Sequence, residues 1–354
     1  MSSFSMPYKQ ACAWVEATGP DAQVSIRYDH TMPPSPSLGE VLVKVEATGV
    51  CHSDCHAIFG DTPMEVNIAG HEGVGRIVHL GDGVNSLRLG QRVALPWLLE
   101  SCGSCDTCET NPVFCAYQKN LGRNLNGTFQ QYITAPSTAL LRLPEDLSAD
   151  VIAPLLCGGL TMYSAIKKAA LNPGDNVVIP GAGGGLGHLG IQIANFMGAD
   201  VIAIDAPEKR EFCLSLGASH FLDFNRGDIL DAVAEITKTG AHAVIVAAGS
   251  ESAYKQAIPM LRNTGILVCV GLPNSQFELG IKPFEMVVRG IRITGSSVGS
   301  HKDIAELLNL ASKGRVLPRV ENFAFPDLPM VLERLKRYDI KGRAVVWLPD
   351  QAGE

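Results

Sequence analysis

Four cysteines, Cys102, Cys105, Cys108 and Cys115, fall within fourteen residues, with gaps of two, two and six. Four thiolates this close can surround one tetrahedral ion, and Zn²⁺ held by four cysteines is a closed, structural site. The rival is an iron–sulfur cluster, whose run of two gaps of two would continue with a gap of three and then proline. Here the last gap is six and Ala116 follows, and no second CxxC knuckle is present to complete a zinc ribbon. Zinc is the favoured reading. A second set is looser: Cys51-His-Ser-Asp-Cys-His56, then Gly70-His-Glu72, then Cys157. Cys51, His52, Cys55, His56, His71, Glu72 and Cys157 can all ligate a metal, and spacing does not choose among them. A catalytic zinc needs only three protein ligands and an open position for water or substrate.

A third chemical feature is the run Gly181-Ala-Gly-Gly-Gly-Leu-Gly187, preceded by the apolar stretch Asn176–Ile179 and followed by a segment of helical length. Strand, glycine loop and helix in that order form a dinucleotide fingerprint. Glycines let the backbone approach a pyrophosphate, and the helix start offers unpaired N–H groups. Ala182 stands in the first place of the GxGxxG frame that ends at Gly187. Asp205 follows at the end of the next apolar run, where a carboxylate accepts from ribose hydroxyls and repels a 2′-phosphate, favouring NAD over NADP. Lys209 and Arg210 nearby are cations that can tolerate that phosphate. With NAD in the same chain, the second ligand set points to metal-assisted hydride transfer.

The elements that must position these groups have two textures. Up to about Leu156 the chain is rich in turns, with short alternating strands such as Val41–Ala47, Gly75–Leu80 and Arg92–Trp97. From about Thr161, apolar runs at Asn176–Ile179, Val201–Ile204, Ala243–Ala248, Gly265–Val270 and Ile291–Thr294 read as strands. Helix-length segments at His188–Met197, Glu208–Leu216, Ile229–Thr237 and Ser252–Leu261 separate them. That rhythm predicts an α/β chain whose second part is a doubly wound parallel sheet. Two helical stretches, Asp303–Ala311 and Leu328–Arg337, and a strand at Arg343–Trp347 follow.

Composition sets bounds on this reading. At 354 residues and 46% hydrophobic, the chain exceeds one ordinary core and is not disordered. A net charge of −7 with no basic block argues against nucleic acid or an anionic membrane as the main partner. No apolar run reaches a membrane span; the nearest, Val151–Met162, is expected to break at Pro154 and Gly158-Gly159. No basic stretch followed by an apolar core opens the chain, so a cytoplasmic location is expected. Clustered cysteines in such a protein more often bind metal than form bridges.

Taken together, these motifs resemble the zinc alcohol dehydrogenases of the medium-chain dehydrogenase/reductase superfamily, and most of all their microbial tetrameric branch. Gly70-His71-Glu72 with Gly75, Gly81 and Val84 matches the family's zinc signature. Cys51-His-Ser-Asp, Gly127-Thr-Phe-Gln-Gln-Tyr132, Ala153-Pro-Leu-Leu-Cys157, Gly184-Gly-Leu-Gly187 and Gly342-Arg343 fall in family order. The resemblance covers nearly the whole chain. It implies a GroES-like β-rich catalytic domain (1–157) with a structural-zinc lobe, an inserted NAD-binding Rossmann domain (158–297), and a return to the catalytic domain (298–354).

The resemblance also implies residue roles. Cys51, His71 and Cys157 would bind a catalytic zinc, and Cys102, Cys105, Cys108 and Cys115 a structural one, giving two ions per chain. Asp54 would orient His71, and Glu72 would lie near the metal. Ser53 would take the alcohol proton and His56 pass it to solvent. His52 and Arg343 would clamp the pyrophosphate, while Gly181, Gly184, Gly185, Leu186, Gly187, Asp205, Lys209 and Val270 complete the NAD(H) site. The implied partners are a small alcohol or aldehyde and other copies of the chain, as a homotetramer or a dimer.

Two departures from the family matter. The gap before Cys115 is one residue shorter than usual, which puts the shape of that lobe in question. Ethanol-oxidising members carry tryptophans at the positions of Ile58 and Thr62, while Trp97 is kept; these substitutions predict a roomier pocket for primary alcohols larger than ethanol. The rivals are a zinc-free quinone or enoyl reductase, which would lack both ligand sets, and a non-enzymatic zinc protein, which the acidic balance disfavours.

Overall fold

The computed structural model describes residues 7–273 and 275–350. The chain forms two compact units, one ending at Cys157 and resuming at Val320, the other Gly158–Arg319.

The first unit is built on strand Glu40–Val50. Val41, Val43 and Val45 alternate onto one face and join Ile77, Val93, Leu95 and Ile133 in a buried cluster, while Lys44 and Glu46 stay partly exposed. The pattern extends further than alternation predicts: Leu42 and the stretch Ala47–Val50 are buried as well, so the strand's end lies inside the protein. Strand Gly73–Leu80 pairs antiparallel on one side and Arg343–Trp347 on the other, with Ala344 opposite Val50. The end of Glu40–Val50 delivers Cys51, and this pairing brings Arg343 beside it. Strands Val320–Ala324, Arg92–Leu95, Leu141–Arg142 and Tyr132–Pro136 complete the sheet, and Lys9–Val15 with Val24–Thr31 forms a separate hairpin.

In the second unit, strands His220–Asp223, Asp200–Asp205, Asn176–Pro180, Ala241–Val246, Leu261–Cys269 and Arg292–Gly295 lie side by side in that spatial order, all parallel. Chain order is therefore third, second, first, fourth, fifth, sixth. The direction reverses between Asn176–Pro180 and Ala241–Val246, the switch point where such sheets bind dinucleotides. The inner strands are buried on both faces, with Val177, Val178 and Ile179 fully enclosed.

Two expectations are corrected. Helix His301–Ser312, assigned above to the returning segment, belongs to the second unit. Ile304, Leu307 and Ala311 are buried, Lys167 reaches Asp303 at 2.6 Å, and the Tyr163 hydroxyl reaches Glu306 at 2.9 Å. The return therefore falls at Val320 and not at residue 298. The run around Val151–Met162 does not break either. Helix Ala149–Pro154 passes through a π turn, Leu155–Gly159, into helix Leu160–Ala169. Pro154 cannot donate a helical bond, and a wider turn absorbs the fault without ending the helix. The resulting 21 residues are long and apolar enough to cross a membrane, but most are buried within the protein.

Candidate metal and cofactor sites

The short helix His52–Ile58 starts directly after Cys51 and is held there by one carboxylate. Asp54 Oδ2 accepts the Cys51 backbone N–H at 2.9 Å, and Oδ1 accepts that of Gly70 at 3.1 Å. The same Oδ1 lies 2.8 Å from His71 Nδ1. Nδ1 must then carry the ring proton, which leaves the Nε2 lone pair pointing away from Asp54 as a ligand.

Of the seven candidates in the looser set, the fold brings together Cys51, His71, Glu72 and Cys157, with one ligand atom of each within 4.8 Å of the others and all four residues buried. The remaining three are used elsewhere. Cys55 donates its thiol to the Leu332 carbonyl at 3.7 Å, and burial pushes its pKa up. His56 Nδ1 pairs with Asp61 Oδ2 at 2.8 Å, and His52 stacks on Tyr338. Cys157 arrives on the π turn, at the end of the unit's first segment.

The electrostatics fit a divalent cation. The hydrogen bond from Cys157 and the nearby Arg343 and His71 hold the Cys51 thiol well below its ordinary range, against the effect of burial. Cys157, as the donor in that pair, is raised. Burial disfavours a charged His71, but Asp54 outweighs it and the pKa rises; a metal ion would take the place of that proton. Burial raises Glu72 to about 7 despite the opposing Arg343. Glu72 Oε2 is buried without a hydrogen-bond partner. Two thiols, an imidazole and a carboxylate with an orphaned oxygen are costly to bury around nothing, and they suit zinc as a donor set.

Arg343 also stands among these groups. It is buried, its guanidinium bonds Glu72 and lies 3.6 Å from Cys51 Sγ, and its Nε is enclosed. It is a counter-charge for the buried anions, placed there by the strand pairing described above. Ile58 is corrected: it is fully buried in a core cluster with Val50, Phe325 and Leu332 and offers no surface to a substrate. Thr62 and Trp97 are half-buried.

The four-cysteine lobe closes despite its shortened last gap. The four sulfurs lie within 4.8 Å of one another, with Cys115 to Cys102 at 3.6 Å and Cys102 to Cys108 at 3.8 Å. A tetrahedron with Zn–S bonds of ~2.3 Å has edges of about 3.8 Å. The Ser104 backbone N–H, then the Cys105 and Cys115 thiols, pull Cys102 down to about 6, so a thiolate is available near neutral pH.

In the second unit, Gly181 has φ 79°, and a side chain at Gly187 would meet the Gly181 carbonyl and Ala182, so both positions require glycine. Gly184, Gly185 and Leu186 are partly exposed at the start of helix Gly187–Phe196. Asp205 closes strand Asp200–Asp205 and accepts the Gly183 N–H at 2.7 Å; Lys209 lies 3.2 Å from it. That bond fixes the carboxylate against the loop. Val270 follows the end of strand Leu261–Cys269 and is buried. Sequence reasoning missed Asp61 and Tyr338, which meet His56 and His52 only through a helix end and a distant cap.

A zinc-dependent oxidoreductase with a dinucleotide fold is the class these two sites define. Residues 37–145 match the family described as alcohol dehydrogenase GroES-like domain, and residues 185–313 match zinc-binding dehydrogenase. An alcohol dehydrogenase of Geobacillus stearothermophilus is 40% identical over 317 residues, 88% of this chain and 92% of that protein. Among solved structures, the alcohol dehydrogenase of Aeropyrum pernix superposes with a TM-score of 0.86 at 31% identity, covering 96% of this chain and all of that one. An acetophenone reductase from Geotrichum candidum in complex with NAD gives 0.85 at 31% identity, covering 97% and 98%. The chain belongs to the zinc-dependent alcohol dehydrogenases of the medium-chain dehydrogenase/reductase superfamily.

Proposed function

We propose that this enzyme interconverts primary alcohols larger than ethanol and their aldehydes, with Cys51, His71 and Cys157 as catalytic zinc ligands and Cys102, Cys105, Cys108 and Cys115 as structural ones. The observation that carries this reading is the buried group of Cys51, His71, Glu72 and Cys157, with exposed Ser53 Oγ 3.8 Å from Cys51 Sγ. When bound, zinc supplies a Lewis acid that stabilises negative charge on the reacting oxygen, and the nicotinamide supplies the hydride acceptor or donor.

The chain's own groups handle the proton. Ser53 and His56 share one face of their helix, being three residues apart. Ser53 accepts the proton of the alcohol, and His56, partly exposed, passes it to solvent. The Nδ1 bond to Asp61 leaves Nε2 as the accepting atom. Glu72 and Arg343 balance charge beside the metal ligands. Asp205 accepts from the adenosine ribose, with Lys209 beside it.

Substrate size rests on Thr62, which stands where ethanol-oxidising members carry an indole; Ile58 no longer contributes. A related enzyme named for acetophenone supports an aromatic substrate here. The exposed side chains of Phe284, Val287 and Val288, beside the outer strand Arg292–Gly295, support assembly into a dimer or tetramer, which light scattering would measure. Ten free cysteines suit the reducing cytoplasm. Initial rates with NAD⁺ on ethanol and benzyl alcohol test the substrate reading. A higher kcat/KM for benzyl alcohol is expected, and a clear preference for ethanol would overturn it.

A further inference from the structure

Helix Leu328–Lys336 ends in a tight cap: the Asp339 N–H reaches the Arg334 carbonyl at 2.9 Å, and the Tyr338 N–H reaches that of Leu335, also at 2.9 Å. This double bond pattern forces the residue at position 338 into the left-handed region, where glycine is the usual occupant. Here it is Tyr338, with φ 58°. A β-carbon there strains the backbone. Burial does not compensate, since Tyr338 is 76% exposed.

What the tyrosine does contact is His52. Their rings stack with centroids 4.8 Å apart and planes 25° from parallel. His52 Nε2 is buried with no partner among the described residues. The His56 ring lies farther off, 6.5 Å away and tilted. The imidazole is therefore packed against one strained cap, through Tyr338 on its face, and its Nε2 is a buried polar atom that still lacks a partner. Arg343, the other member of the expected phosphate clamp, contacts Glu72 and Cys51.

We propose that Tyr338 is a positioning residue for the dinucleotide: it fixes the rotamer of His52 so that the imidazole meets the cofactor's pyrophosphate. This rests on the reading of His52 as a cofactor ligand. A face-stacked ring removes rotamer freedom before the cofactor arrives, and affinity gains from that preorganisation.

The test compares zinc-loaded wild type with Tyr338→Gly, Tyr338→Phe, His52→Ala and the Tyr338→Gly/His52→Ala double variant. The readouts are NADH affinity by fluorescence titration and melting temperature. Tyr338→Gly should raise the melting temperature by about 2 °C as strain is relieved. It should weaken NADH about two- to tenfold through loss of the stack. Tyr338→Phe keeps the ring and should retain wild-type affinity and melting temperature. In the His52→Ala background, Tyr338→Gly should cost no further affinity. Unchanged NADH affinity in Tyr338→Gly, or an equal loss in both backgrounds, would overturn the positioning role. Unchanged affinity in His52→Ala would instead overturn the reading of His52 beneath it.

Discussion

Asp54 and His71 meet at 2.8 Å, and the same carboxylate also takes the backbone N–H groups of Cys51 and Gly70. One side chain thus sets the histidine tautomer, seats the cysteine that precedes its own helix, and ties down the loop that carries His71. Asparagine has the same shape but only one accepting oxygen, and its NH₂ would face a donor. Asp54→Asn should lower the affinity of the catalytic zinc about 10- to 100-fold, read by competition with a chelator. Wild-type affinity in this variant would show that Asp54 does not orient the ligand.

The cysteine lobe makes a separate prediction. Cys115 is the fully buried member of its set and lies 3.6 Å from Cys102. Cys115→Ala should reduce bound zinc from about two ions per chain to about one, because a four-ligand structural site rarely survives on three. Limited proteolysis should then cut between Cys102 and Cys115, since metal binding and local folding are coupled there. Two ions in the variant would place the second metal elsewhere.

Asp61 bears on the proton path. Its carboxylate, 2.8 Å from His56 Nδ1, fixes which imidazole nitrogen is free. Asp61→Ala should lower kcat by roughly tenfold, less than His56→Ala, for which general acid–base catalysis sets about 10²-fold. Both losses should shrink in a concentrated proton-carrying buffer. A loss confined to KM would argue for substrate contact in place of proton transfer.

The second unit carries a pH-sensitive contact. His242 Nδ1 accepts the Asn176 N–H at 3.0 Å, so the ring proton sits on Nε2, which reaches Asp175 at 2.9 Å. Burial pushes the His242 pKa below its ordinary 6.5, with Asp175 only partly opposing. Below pH ~6.5 the unfolded chain therefore binds a proton that the folded chain resists. Stability is fully present above that pH and is lost as pH falls toward the depressed folded value. Melting temperature followed from pH 8 to 5 should decline less steeply in His242→Gln than in wild type. Equal slopes would remove His242 from the titration.

Local chemistry was written into the sequence. The two gaps of two among Cys102, Cys105 and Cys108 already confine three sulfurs to one small lobe, and the glycines around Gly181–Gly187 can do little but turn closely before a helix. The buried strands of the second unit were legible because strands enclosed on both faces are apolar at every position, as in Val177-Val-Ile179. The sequence also supplied seven able ligands, but ligation depends on where a side chain points after the sheet has formed. Pairing of Arg343–Trp347 against Glu40–Val50 set Arg343 on Glu72 and Cys51. Packing drew Ile58 into the core, and a π turn carried the helix past Pro154 and placed Cys157 with Cys51 and His71. Those outcomes depend on contacts between segments far apart in the chain, whose energies no local pattern records; only the assembled tertiary structure decided them.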